Sequence, residues 1–242
     1  MNSSRRLLSI VIPVYNEEKT IGIVLDKLDS LKLVGVDREI VVVDDGSTDK
    51  SAKIIEKKAA KNKQIRFFKH EKNKGKGAAV VTGFEKSKGS ILLIQDADLE
   101  YNPSEIPLLL KPILANKEKV VYGTRLRRNV IFFGKDRTPL PFHIIGNRFL
   151  SLATSLLYGE SITDMETGYK LFDKSILKGI KLKARSFDFE PEITAKILKK
   201  GIHILEIDIT TNPRGYDEGK KIRPVHDGMI ALWTLVKYRF TS

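Results

Sequence analysis

Apolar and polar positions along the chain alternate between two rhythms. Short Val/Ile-rich runs at residues 9–14, 39–43, 65–69, 91–94 and 120–123, bounded by Gly, Asp or Asn, predict strands. Between them, residues 17–31, 49–60, 77–86 and 104–115 carry apolar side chains at helical spacing, with Ser47, Thr48 and Pro103 as start signals. Strand and helix in alternation predict βαβ units with right-handed crossovers, hence an α/β fold with a mostly parallel sheet. The absence of an internal repeat argues against a solenoid.

After Gly123 the rhythm loosens. Residues 124–141 mix basic and aliphatic side chains with two prolines and read as a mobile basic loop. A helix at 142–158, a polar turn at 163–168, a short strand at 169–172, a helix at 190–200 and a strand at 202–209 follow. A second loop of glycines and charges, 214–223, leads into a final helix. No stretch is rich enough in Pro, Gly or Ser to divide the chain, so residues 1–242 read as a single domain.

The apolar run 7–14 follows Arg5 and Arg6, as a secretory signal would. It is short, lacks a small-residue cleavage site and stops at Pro13, so it reads as a buried strand. Neither 144–158 nor 229–240 reaches the roughly 18 uninterrupted apolar residues of a membrane span.

Charge changes the picture more than composition does. Lys and Arg total 43 against 30 Asp and Glu, a formal charge of +13, which suits an anionic partner: a phosphorylated substrate, acidic lipid or nucleic acid. With no cysteine, a zinc finger and a thiol nucleophile are excluded, and a reducing compartment fits.

In an open α/β sheet, ligands bind beyond the carboxyl ends of the strands. Two acid clusters are expected at that edge: Asp44-Asp45-Gly46-Ser47 after the second strand and Gln95-Asp96-Ala97-Asp98 after the fourth. In an extended chain Asp96 and Asp98 would share one side, with only a methyl between them. Hard oxygen ligands of this kind suit Mg²⁺ or Mn²⁺, completed by water and diphosphate oxygens. The alternative is a polar loop capping the next helix at Asn102-Pro103. Asn73-Lys74-Gly75-Lys76-Gly77, between strand and helix, would let backbone amides approach a phosphate, or is simply a solvated turn. Arg214, Lys220 and Lys221 flank Gly215 and Gly219 in a loop able to close over a diphosphate, or form a surface charge run.

These motifs stand in a telling order. Ile12-Pro13-Val14-Tyr15-Asn16-Glu17, Val43-Asp44-Asp45-Gly46-Ser47, Asp96-Ala97-Asp98-Leu99, Gly123-Thr124-Arg125, Thr163-Asp164-Met165-Glu166-Thr167-Gly168-Tyr169-Lys170 and the stretch from Arg214 to Lys220 together resemble the inverting GT-A glycosyltransferases of family 2. The similarity covers nearly the whole chain and is closest to the dolichol-phosphate mannose and glucose synthase branch.

The resemblance implies a single GT-A domain with a Rossmann-like sheet. Residues 1–123 would form a nucleotide-binding half, 124–223 an acceptor half with a closing loop, and 224–242 a C-terminal amphipathic helix. It implies that Pro13, Tyr15 and Glu17 hold the nucleoside, with Val43 and Asp45 around base and ribose. Asp96, Ala97 and Asp98 would bind Mg²⁺ or Mn²⁺ and the sugar diphosphate, while Arg125, Arg214 and Lys220 would contact donor or phosphates. Glu100 stands two places after the metal motif, where some relatives carry Gln.

The implied reaction is inverting transfer of a hexose from a nucleotide sugar, GDP-mannose or UDP-glucose, to a polyprenyl phosphate. Metal and basic groups would stabilise the departing nucleoside diphosphate. An acceptor phosphate is already anionic, so no base is needed, in keeping with His70, His143, His203 and His226 showing no pairing with a nucleophile. With no C-terminal transmembrane pair, the implied setting is the cytoplasmic membrane face, reached through an anionic lipid surface or a membrane-protein partner. Met229, Ile230, Leu232, Trp233, Leu235, Val236, Tyr238 and Phe240, with Lys237 and Arg239, give the last helix a means of lipid contact. The same helix would equally serve to pack on the core or on a second subunit.

A competing enzyme would form a glycosidic bond on a sugar hydroxyl and need a general base, with Asp188 or Glu190 as candidates. A nucleotidyltransferase would need a Gly-rich, Arg-containing N-terminal loop where Pro13-Val14-Tyr15-Asn16-Glu17 stands. Nucleic-acid binding lacks any helix-turn-helix, zinc or RNP-like signature and is not expected.

Overall fold

Alternation along the strands decides how the sheet is buried. The computed structural model describes residues 6–125, 141–212 and 224–241. Its strands are β1 (Arg6–Val14), β2 (Val36–Asp44), β3 (Ile65–Lys69), β4 (Ile91–Ile94), β5 (Val120–Thr124), β6 (Lys170–Asp173) and β7 (Leu205–Asp208). They form one sheet in the order β3-β2-β1-β4-β6-β5-β7. β6 runs antiparallel to both β4 and β5, and the other pairings are parallel.

The helices are α1 (Ile21–Ser30), α2 (Ser51–Lys61), α3 (Lys76–Lys86), α4 (Ile106–Leu114), α5 (Pro141–Tyr158), α6 (Phe189–Lys199) and α7 (Pro224–Phe240). Ile10, Ile12, Ile40, Val42, Ile91 and Leu93 point to one face of the sheet and pack with α1 and α4. Val11, Val41, Val43, Leu92 and Ile94 point to the other and pack with α3, α6 and the inner side of α7. Apolar side chains on both faces explain why the strands read as continuous hydrophobic runs. Burying each one contributes about 1.5–3 kcal/mol.

Three expected elements change at their ends, each for a local reason. The first helix begins at Ile21 rather than Glu17, because Asn16 is left-handed (φ 55°) and residues 17–20 turn on the Glu17 carbonyl. The span 104–115 splits into a 3-10 turn at Pro103–Glu105, capped by the Asn102 side chain, and α4. The expected strand 202–209 shortens to Leu205–Asp208, the length over which β5 offers partners.

β1, β2, β4 and β5 all end at one edge of the sheet, so the loops carrying Tyr15, Asp45, Asp96 and Arg125 converge there. Of the expected basic loop 124–141, Thr124 ends β5 and Pro141 opens α5, while residues 126–140 lie outside the described residues, as does the whole of the expected closing loop 214–223 with Arg214 and Lys220.

Candidate active site

A cavity of about 640 Å³ opens at this edge. Pro13, Tyr15, Glu17 and Asp45 line one side, and Asp96, Ala97, Asp98, Glu100 and Arg125 the floor. Phe149 and Leu150 of α5 with Met229 and Leu232 of α7 make an apolar wall, and Lys76, Glu166 and Glu190 complete the polar part. The cavity therefore gathers eight of the eleven donor-site residues that the family resemblance implies: Pro13, Tyr15, Glu17, Asp45, Asp96, Ala97, Asp98 and Arg125.

Val43 is a correction. It alternates with Val42 and turns its side chain into the core beneath α3, fully buried and away from the cavity. Asp188 is another, since it does not line the cavity and instead accepts the Ser186 amide at the head of α6.

Asp96, Ala97 and Asp98 reach the cavity by a different route from the expected one. The chain leaves the strand and turns, with Leu99 left-handed (φ 65°) and Asp98 accepting the Glu100 amide at 3.0 Å. Gln95, fully buried, braces the turn by donating to the carbonyls of Asp96 and Tyr101. The turn is closely covered: the Gly168 amide donates to the Tyr101 hydroxyl at 2.8 Å, and a Cβ on Gly168 would lie 2.3 Å from Asp96 Oδ2.

Mg²⁺ and Mn²⁺ take one or two carboxylates and fill their remaining positions with water and substrate phosphates. Two partly buried aspartates on one turn that lines a cavity fit that requirement. Among the described residues no group of three or more Asp, Glu, His or Cys side chains is placed to hold a metal ion.

Lys76 opens α3 and reaches across the cavity floor. Its Nζ lies 2.9 Å from Asp96 Oδ1 and 2.9 Å from Glu190 Oε1. Burial alone would push this ammonium down, but the two carboxylates outweigh it and hold its pKa well above the ordinary value. The glycines beside it, expected either to admit a phosphate or to form a solvated turn, are instead closely packed. A Cβ on Gly75 would fall 2.1 Å from the Arg185 carbonyl oxygen and one on Gly77 2.9 Å from that of Ala184. The Ala78 amide donates to Arg185 as well, so this helix start is packed against residues 184–186.

Arg125 is fixed before any ligand arrives. Its Nε and one terminal nitrogen donate to the two oxygens of Asp164, both at 2.7 Å, and its amide donates to the same carboxylate. Asp164, fully buried, also accepts from Asn147. Burial would raise the Asp164 pKa, yet the guanidinium and these hydrogen bonds bring it below the usual range.

Glu166, from the expected polar turn, is raised to about 8 by burial and by the charge of Glu190. Lys170 is lowered to about 8, chiefly by burial. Among the described residues, Oε1 of Glu166 and Oε2 of Glu190 find no hydrogen-bond partner. Sequence reasoning placed Lys76 in a loop and named Glu166 only within the 163–170 motif, without a role; the lysine opening a helix directly after Gly75 was the available signal for the first, and the motif itself for the second.

Sheet order, antiparallel β6 and an acidic turn after β4 define the GT-A class of nucleotide-sugar-dependent glycosyltransferases. Residues 9–180 match the family model described as Glycosyl transferase family 2, and the chain belongs to that family. It is 32% identical over 223 residues to the UDP-N-acetylglucosamine–dolichyl-phosphate N-acetylglucosaminyltransferase of Methanococcus voltae, covering 85% of this chain and 86% of that protein. It is 32% identical over 240 residues to a dolichyl-phosphate beta-glucosyltransferase of Trichomonas vaginalis, covering 93% of this chain and 68% of that one. Among solved structures, glucosyl-3-phosphoglycerate synthase of Mycobacterium tuberculosis, in complex with Mn²⁺, UDP and glucosyl-3-phosphoglycerate, superposes with a TM-score of 0.72 at 21% identity, over 98% of this chain and 81% of that one.

Proposed function

We propose that the protein transfers a hexose, with inversion, from a nucleotide sugar to a polyprenyl phosphate in a reaction that depends on Mg²⁺ or Mn²⁺. One observation carries the reading. The acidic and basic floor formed by Asp96, Asp98, Lys76 and Arg125 meets the apolar wall formed by Phe149, Leu150, Met229 and Leu232 in one cavity. A phosphate with a hydrocarbon tail is the acceptor that uses both surfaces. Relatives named for dolichyl-phosphate acceptors support this choice. Their sugars differ, so UDP-N-acetylglucosamine joins UDP-glucose and GDP-mannose as a candidate donor.

When bound, the metal would supply charge neutralisation on the departing diphosphate, held by Asp96 and Asp98. Arg125, locked by Asp164, would place a second positive charge without reorganising. Pro13, Tyr15, Glu17 and Asp45, which line the cavity, would hold the nucleoside, and Arg214 and Lys220 would add their charges. The acceptor oxygen is anionic, so attack on the anomeric carbon requires no proton acceptor.

The apolar wall continues onto the surface. Ile145, Phe149, Leu152 and Leu156 on α5, and Val225, Met229, Trp233 and Phe240 on α7, are exposed at helical spacing. α7 divides its faces, because Ala231, Leu235 and Tyr238 pack into the core. No described helix is long and apolar enough to cross a membrane. The two stripes, with Lys237 and Arg239 beside them, suit peripheral contact with anionic lipid at the cytoplasmic face.

A second reading has one observation behind it: Glu190 lines the cavity with an oxygen unpartnered among the described residues. It would serve as base for a sugar hydroxyl. Purified protein with Mn²⁺, each of the three donors, and either a short prenyl phosphate or a soluble sugar separates the two. A β-linked prenyl phosphate product, with activity surviving Glu190→Gln, supports the proposal. Transfer to the soluble sugar alone, abolished by that substitution, overturns it.

A further inference from the structure

β2 and β3 are paired up to Asp44 and Lys69, and the next residue of each strand turns inward. There His70 Nδ1 lies 2.7 Å from Asp45 Oδ1, and His70 Nε2 lies 3.0 Å from the Thr82 hydroxyl on α3. Both residues are buried, at 8% and 2% exposure. The Asp45 carboxylate has two further donors: the Lys74 amide at 2.9 Å on Oδ1 and the Gly75 amide at 2.7 Å on Oδ2.

Hydrogen-bond capacity fixes one proton. A carboxylate only accepts, so Nδ1 must carry the hydrogen that points at Asp45. The Thr82 hydroxyl, which can donate or accept, pairs with Nε2. The His70 ring therefore links Thr82 and Asp45 through its two nitrogens.

The loop held by Asp45 is the one that builds the cavity side below α3. Asn73, Gly75 and Lys76 line the cavity, and Lys76 continues to Asp96. Gly75 is left-handed (φ 97°), and both loop amides aim at one carboxylate. A rotation of Asp45 would release both at once. The only side chain that fixes Asp45 against such a rotation, among the described residues, is His70.

We infer that His70 is a positioning residue for the donor site: its Nδ1–H holds the Asp45 carboxylate, which holds the Lys74–Gly75 turn and with it Lys76 at the cavity floor. This rests on the reading of the cavity as a nucleotide-sugar site. His70 lies behind Asp45 and is not part of the cavity lining.

Side-chain geometry supplies a sharp test in the full-length protein. The amide nitrogen of Asn falls near histidine Nδ1, and that of Gln near Nε2. His70→Asn keeps the donor to Asp45, His70→Gln keeps only the partner of Thr82, and His70→Ala keeps neither. Two readouts are compared: hydrogen exchange at residues 74–75, and the affinity for UDP and for GDP with Mn²⁺ by calorimetry. In His70→Ala and His70→Gln, exchange should quicken and the preferred nucleotide should bind more weakly, each about tenfold. His70→Asn should stay within about twofold of wild type in both. Turnover at saturating donor should move far less than donor KM in every variant.

Equal losses in all three variants, tracking their melting temperatures, would make His70 a packing residue and overturn the inference; so would protection retained by Gln and lost by Asn. If the wild type binds neither nucleotide, the donor-site reading fails, while the exchange comparison still decides whether His70 fixes the turn through Asp45.

Discussion

Gly168 and Asp96 are so close that a single added methyl cannot be placed between them: the Cβ of an alanine at 168 would lie 2.3 Å from Asp96 Oδ2. Gly168 is not among the glycines with positive φ, so its backbone tolerates alanine and only the contact objects. Gly168→Ala should displace the Asp96 carboxylate, lowering turnover by about 10²-fold and costing about 1–3 kcal/mol of stability. Steady-state kinetics and a denaturant melt on the same preparation check this.

Asp98 should be required for metal-dependent transfer. Asp98→Ala leaves the core untouched, so its melting temperature should change little while activity falls by about 10²-fold or more. Wild type in excess EDTA should match the variant, with activity restored by Mn²⁺ or Mg²⁺.

Lys76→Met should destabilise the protein, because Asp96 and Glu190 would then face each other without the ammonium that joins them. Leaving buried charge uncompensated costs about 2–4 kcal/mol. Adding Glu190→Gln should recover part of that loss. A double-mutant cycle should show a coupling of about 0.5–3 kcal/mol between the two sites.

Stability should depend on pH through Glu166. Burial and the Glu190 charge raise its pKa from 4.5 to about 8, so the folded state binds a proton that the unfolded chain has released. That contribution is present at low pH and disappears as pH rises from 4.5 through about 8. Glu166→Gln, which mimics the protonated side chain, should match wild type near the acid end and exceed it above the transition by on the order of 1–3 kcal/mol. Melting curves of both proteins across that range measure the gap; Lys170 titrates beside it, so the inflection belongs to the pair.

Phe149→Glu and Trp233→Glu should each reduce flotation with anionic vesicles by about tenfold, each removing an exposed apolar side chain from a different helix. Turnover on a short, water-soluble prenyl phosphate should fall far less for Trp233→Glu, since Trp233 does not line the cavity.

The sheet was readable because its strands are apolar on both faces and end in acids or glycine, as Ile40 to Asp45 and Ile91 to Asp96 show. The carboxyl-edge rule then placed Asp96 and Asp98 correctly, although the local geometry is a turn. What sequence could not display is contact between distant segments. The Lys76 link to Glu190, the Arg125 link to Asp164 and the packing of Gly75 under Arg185 join residues from 39 to 114 positions apart. Val43 was misplaced by a motif that names positions but not the face to which each side chain turns.

The antiparallel β6 also governs the order in which the chain can become a protein. β4 and β5 are not neighbours; the gap between them is filled by residues 170–173, which come from well beyond the end of β5. Until that segment has left the ribosome, both strands present unpaired backbone to the surroundings, and the sheet exists only as an incomplete four-stranded piece with an open edge. Pairings between distant segments form slowly, and exposed strand edges invite association with other chains. A truncated chain ending near residue 160 should therefore aggregate even though it contains the strands of the donor side, and a chaperone that shields strand edges would matter most during the synthesis of the last third of the molecule.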